Sequence, residues 1–234
     1  MKKWQTLLLL ATMIPMGNMA QAYRKVSAES LTETLHKNKV TRMRAELFFE
    51  FPGGRMITWN LEPEEFIYLS NPMGEAKIYY PKKNQLVNRK DPVFSSQNHQ
   101  IYQFLNNEYY DLGLQEIGFR VISTEHSNGM VVTTWQAPVS MLAQVDKIDL
   151  VHEDMLPIYA EYRNTRGEVT LKLYYSDFMP VYESMIPSRV TEILFLQPGD
   201  SIIRRTTYSD MMTGTKINPR GFNFIIPEDA KVVH

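Results

Sequence analysis

The sequence predicts a mainly β protein with a few helices, arranged as a barrel or a strongly curved antiparallel sheet. Three observations carry that expectation. Apolar residues recur with a period of two, as at Met43, Ala45, Leu47, Phe49 and Phe51. Turn residues punctuate most of the chain at roughly 8–12-residue spacing. The stretch Ser95 to Ile117 changes to helical spacing between two β halves, a position from which it can cover one mouth of the sheet.

Composition bounds the function before any motif is read. The chain has 234 residues, no cysteine, 44% hydrophobic residues and 12% aromatics. That length is enough for one large domain with a substantial core. Without cysteine there is no disulfide framework, thiol nucleophile or Cys-ligated metal. Lys plus Arg is 25 and Asp plus Glu is 26, a net charge of −1, which argues against a nucleic-acid partner.

Residues 1–22 read as a secretory signal peptide. Lys2 and Lys3 form the basic start, Leu7 to Ile14 the apolar stretch, and Ala20-Gln21-Ala22 the small-x-small cleavage site. The apolar run is well short of the roughly 20 residues that span a bilayer. Cleavage is expected after Ala22, leaving 23–234 as a single exported domain.

The elements follow in order. A short opening helix is expected from the capping-box spacing of Ser30 and Glu33, with Leu31 and Leu35 on one face. Met43 to Phe51 is a half-buried strand, turned by Pro52-Gly53-Gly54 into Arg55 to Leu61, where Ile57, Trp59 and Leu61 share a face. Short strands follow at Phe66 to Ser70, Ala76 to Tyr80 and Gln85 to Arg89. Ser95 to Asn107 is expected to be a helix carrying Ile101, Phe104 and Leu105, and Asp111 to Ile117 a second one ending at Gly118. Asn128-Gly129 joins strands Phe119 to Glu125 and Met130 to Gln136 in a hairpin. Further strands are read at Lys147 to His152, Ile158 to Asn164, Glu168 to Tyr175, Arg189 to Leu196 and Ser201 to Ser209. Gly221 to Pro227 closes the core with Phe222, Phe224 and Ile226 on one face. The total is about a dozen strands and two or three helices.

The chemical motifs are mostly negative. There is no nucleophile elbow, P-loop, dinucleotide fingerprint or zinc-protease helix. His152-Glu153-Asp154 is the best small titratable cluster and reads as a solvated strand end. Arg204-Arg205 reads as a solvated basic pair. No enzyme, cofactor or metal is expected. The positive signal is apolar: aromatics and 14 methionines suit either a filled core or the lining of a cavity for an apolar ligand. The residues singled out for that cavity and its cover are Phe49, Phe51, Trp59, Tyr68, Tyr79, Ile101, Phe104, Leu105 and Trp135.

Two blocks of sequence carry a resemblance. Ile57-Thr58-Trp59, Glu62-Pro63, Tyr68-Leu69-Ser70-Asn71 and Ile78 to Gln85, followed much later by Phe222-Asn223-Phe224-Ile225-Ile226-Pro227, resemble the periplasmic lipoprotein carriers of the LolA-like family. The resemblance implies an incomplete, strongly curved antiparallel β-barrel with a helical lid. It also implies a periplasmic carrier that shields lipoprotein acyl chains or lipid for transfer toward the outer membrane. Its implied partners are an inner-membrane release complex and an outer-membrane acceptor, and a monomer is the expected state. One departure stands out. Carriers of the family have an Arg before the Pro that precedes the Trp-bearing strand, where this chain has Phe51-Pro52, so no lid-latch role transfers to any residue. The alternative is an exported sensor or structural module of the same fold that binds a protein partner.

Overall fold

The computed structural model describes residues 24–51, 53–197 and 199–233, so the expected leader lies outside the described residues. The chain begins with β1 (Arg24–His36), β2 (Lys39–Phe51), β3 (Arg55–Glu62), β4 (Phe66–Ser70), β5 (Glu75–Tyr80) and β6 (Gln85–Lys90). Helix α1 (Gln100–Leu105) follows, and then β7 (Arg120–Ser127), β8 (Met130–Gln136), β9 (Lys147–Glu153) and β10 (Leu156–Arg163). The last strands are β11 (Val169–Val181), β12 (Ser184–Gln197), β13 (Asp200–Thr213) and β14 (Lys231–Val233). All fourteen form one curved, unclosed sheet in the order β14-β6-β5-β4-β3-β2-β1-β13-β12-β11-β10-β9-β8-β7. Neighbours pair antiparallel except β6 with β14, which run parallel.

The opening segment corrects the sequence reading, because it is a strand and not a helix. Val26, Ala28, Ser30 and Thr32 are buried in alternation, and β1 pairs with β2 from Arg24↔Phe51 to His36↔Lys39 and with β13 on its other side. Placement between two strands satisfies its backbone on both edges, and that outweighs the weak local preference of a capping box. The second helix expected at Asp111 to Ile117 is also absent. Leu112 and Gly113 take positive φ, 50° and 79°, and break the segment into successive turns. Strand β11 runs on past Tyr175 to a hairpin at Tyr182 and Glu183 that the sequence did not suggest, because Pro180 and Pro187 argue against a strand.

Period-two alternation gives the sheet two apolar faces. On the inner face, Val26, Leu47 and Phe49 share one buried cluster with Trp135, Ile148, Leu173 and α1. Strands β2 and β8 are seven places apart in the sheet, which is roughly 34 Å if flat. Only a sheet wrapped around α1 brings Phe49 and Trp135 into one cluster. On the outer face, Phe48, Ile57, Ile67 and Tyr79 are covered by the C-terminal segment through Phe222, Phe224 and Ile226. Phe222 meets Phe48 edge-on at 5.3 Å, and Phe224 stands 5.3 Å from Trp59. Gly221 makes this approach possible: a Cβ there would fall 2.2 Å from the Phe48 ring.

Candidate functional site

The chain between β6 and β7 forms a roof over the inner face. Its first part is a chain of short capped turns. Asp91 accepts from Val93 N at 2.9 Å, Ser95 Oγ from Gln97 N at 3.2 Å, and His99 Nδ1 from Ile101 N at 3.4 Å. The same serines tie the roof to the sheet. Ser96 Oγ donates to Gly54 O at 2.6 Å and Ser95 Oγ to Pro72 O at 2.9 Å. Gly54 sits at φ +64°, and a Cβ there would stand 2.4 Å from Pro72, so the turn after β2 fits against the turn between β4 and β5 only with glycine. The far end is held by Ser184 Oγ donating to Leu105 O at 3.2 Å and His152 Nε2 donating to Tyr109 O at 2.6 Å. His152 is therefore buried in the roof contact, which corrects its reading as a solvated strand end.

Beneath α1 the packing is complete. Ile101, Phe104 and Leu105 are buried, and the Phe104 ring meets Tyr175 at 5.1 Å, Phe178 at 6.0 Å and Tyr109 at 6.1 Å. Phe49, Phe51 and Trp135 belong to the same cluster. Tyr68 shares their face, since it lies opposite Thr58 and Thr58 opposite Leu47, and its hydroxyl donates to Phe94 O at 3.2 Å. Trp59 and Tyr79 do not join them. They lie on the outer face with Phe224, because an odd offset from Thr58 and Tyr68 turns a strand residue to the opposite side.

Open space remains on the inner face beside α1. One cleft of about 350 Å³ lies between Ser30, Thr32 and Leu47 on one wall and Glu192, Arg204 and Tyr208 on the other, with His99 at its inner end. It shares Thr32, Met43 and Arg204 with an outer opening of about 430 Å³. Across His99 lies a second cleft of about 260 Å³, lined by Leu114, Leu173, Tyr162 and Tyr175. Together they make a trough of mixed character with apolar walls and hydroxyl groups.

Its electrostatics are quiet. Burial pulls the His99 imidazole down to about 4, so the ring is neutral near pH 7. Burial, with Glu192 nearby, pushes the Tyr162 phenol up to about 12 and raises Tyr175 and Tyr208 as well, so all three keep their protons. Arg204 Nη1 reaches both oxygens of Glu192 at 3.1 and 3.2 Å. Arg204, read from sequence as a solvated basic residue, is exposed and pairs with the more buried Glu192 at the trough wall.

The sequence reading missed Ser95, Ser96, His99, Glu192 and Arg204 as site residues. A signal for two of them exists. Glu192 shares its strand face with Val190 and Leu194, and Arg204 with Ile202 and Tyr208. A charge set into an inward apolar register marks a polar point inside the fold.

These features define a class: an open, roofed β-sheet with an amphipathic trough on its inner face. No family model matches the sequence, and no curated protein matches it. Solved structures do. A DUF1329 family protein of Desulfovibrio piger aligns with TM-score 0.59 at 10% identity, over 87% of this chain and 91% of its own. A domain assigned to outer membrane lipoprotein sorting in Vibrio parahaemolyticus aligns with TM-score 0.57 at 14% identity, over 85% and 89%. A LolA superfamily protein of Nitrosomonas europaea aligns with TM-score 0.54 at 14% identity, over 86% and 90%. The chain has the LolA-like fold.

Proposed function

We propose that this protein is a periplasmic binding protein that shields the acyl chains of a lipid or lipoprotein on the inner face of its sheet, for transfer toward the outer membrane. The observation that carries the reading is the trough beside α1, an opening that leads from solvent to the apolar cluster instead of being packed shut. Each buried methylene contributes about 0.8 kcal/mol, so a chain crossing water gains strongly from such a cover. In this reading Phe49, Phe51, Tyr68, Ile101, Phe104, Leu105 and Trp135 form the inner wall that an acyl chain meets. The likeness to a lipoprotein-sorting domain supports the same class of ligand. The exchange partners would be an inner-membrane release complex and an outer-membrane acceptor.

The test is native mass spectrometry of the mature protein purified without detergent, with displacement of a fluorescent fatty acid as a second readout. Co-purified lipid or acylated peptide is the expected result. A clean mass together with no probe binding overturns the proposal.

One observation favours a second reading as a module for a protein partner. Leu35 and Val40 lie opposite each other on the outer face and are 39% and 54% exposed, beyond the reach of the C-terminal cover. Loss of a pulled-down partner in Leu35→Asp with lipid binding intact would favour it.

A further inference from the structure

We propose that the two hairpin tips at the end of the sheet away from the roof, β1–β2 and β12–β13, form a docking ridge for an anionic phospholipid bilayer. Their strands carry an apolar row across the outer face. Val40 lies opposite Leu35, Leu35 opposite Ile203, and Ile203 opposite Ile193, with Phe195 two residues further along β12. Val40, Leu35 and Phe195 are 54%, 39% and 38% exposed, and the C-terminal cover does not reach them. Leu194, on the inner face of the same tip, is exposed as well. The two tips are held side by side, because His36 Nε2 meets Asp200 Oδ1 at 3.1 Å. Exposed apolar residues that are contiguous across four strands mark a binding surface, unlike the same residues scattered singly.

Charge selects the occupant. The apolar row lies between Lys37 and Lys39 at the β1–β2 tip and Arg205 at the next outer-face position of β13. All three are exposed, and among the described residues none of them makes an ion pair. The acids close by are engaged, Asp200 with His36 and Glu33 with Arg42 at 2.9 Å. Free cations therefore flank the apolar row, in a chain whose 26 acids outnumber its 25 bases. An anionic bilayer has the matching pattern, with phosphates at the surface for the cations and hydrocarbon just beneath for Val40, Leu35 and Phe195. A fixed protein surface would have to match apolar residues on both faces of a narrow ridge, whereas a bilayer closes around them. Docking also sets the trough against the lipid. Its outer opening is lined by Thr34 and Thr41, which lie opposite each other just inside the tip, and by Arg204. That use of the ridge rests on the acyl-binding reading; the ridge itself does not.

Vesicles of about 30% phosphatidylglycerol in phosphatidylcholine, and vesicles of phosphatidylcholine alone, are titrated against the mature protein at about 0.1 M salt, with bound protein read by co-sedimentation. The expected result is binding to the anionic vesicles only, falling steeply toward about 0.5 M salt. Lys37→Gln with Lys39→Gln is expected to weaken it about 30-fold, roughly fivefold for each charge at the surface. Val40→Ser with Phe195→Ser is expected to weaken it about tenfold, and all four positions lie at the surface, where substitution spares the fold. Arg89→Gln with Lys90→Gln removes the same charge beside the roof, and should change binding by less than about twofold. Binding to neither vesicle overturns the ridge and leaves acyl binding, read separately with the fluorescent fatty acid, as it stands. Equal binding to both vesicles, or an equal loss in the Arg89 and Lys90 variant, also overturns it. A protein pulled down through Leu35 by a chain that ignores vesicles gives the surface to that protein instead. Vesicle binding without fatty-acid binding removes the acyl reading and not the ridge.

Discussion

Truncating Phe104 to Ala tests whether the roof is part of the structure or a loose cover. The α1 helix is six residues long, too short to persist without packing. Its position therefore depends on buried side chains, and Phe104 is wholly buried among three aromatic rings. Removing a buried phenylalanine costs about 3–5 kcal/mol, including the cavity left behind. Trp59 supplies the comparison. It is only half-buried, between the Phe224 ring and the Arg220 guanidinium 3.6 Å above it, so its truncation should cost roughly 2 kcal/mol. With a urea dependence of about 3 kcal/mol per molar, Phe104→Ala should lower the unfolding midpoint by about 1–1.7 M and Trp59→Ala by about 0.7 M. Both are read by circular dichroism with the slope checked for constancy. If Phe104→Ala moves the midpoint less than Trp59→Ala, the roof opens independently of the sheet and the argument from packing fails.

Three further outcomes are expected. His99 is neutral in the fold and gains a proton readily when unfolded, so its contribution is full above about pH 6.5 and is lost as pH falls toward 4, by no more than about 3 kcal/mol. Denaturation across that window should show a shallower pH slope in His99→Gln. Gly221→Ala drives a methyl into the buried Phe48 ring and should cost about 1–3 kcal/mol by thermal melting. Ending the chain after Lys216 uncovers Phe48, Ile57, Ile67 and Tyr79, and should produce binding of a hydrophobic dye and self-association in light scattering. An unchanged monomer without dye binding would show that the C-terminal segment is not a cover.

The strands were legible wherever turn chemistry bounded them. Phe66–Ser70 and Met130–Gln136 run over the residues that their flanking turns implied. The first strand was not legible, because its buried residues Ala28, Ser30 and Thr32 are small or polar and its reason for being extended lies in β13. The roof was legible as a break in period, with Ser95 or Ser96 as a cap, but not the bonds by which the two serines tie it to Pro72 and Gly54, because those acceptors are distant in sequence. Within the site, the aromatic residues were visible but not their faces. Trp59 and Tyr68 belong to opposite sides of the sheet, and only the register of β3 and β4 separates them. Glu192 and Arg204 each stand in an apolar register of their strands, a signal that the sequence carries, but only the pairing of β12 with β13 brings them together.

The place of β1 in the sheet governs when the molecule can assemble. It opens the described chain, yet it stands in the middle, between β2 and β13. The Thr32 and Thr206 hydroxyls that meet across this seam are 174 residues apart. Closing a loop of that length costs roughly 4–5 kcal/mol of chain entropy before any pairing compensates. The β2–β6 meander and the β7–β13 meander can each grow from neighbouring segments, but they become one sheet only when residues 200–213 arrive. Folding should accordingly be slow, with the seam closing late. Until then one edge of β1 offers unpaired backbone to any passing strand, so an emerging chain is most exposed to misassembly before its last quarter is available.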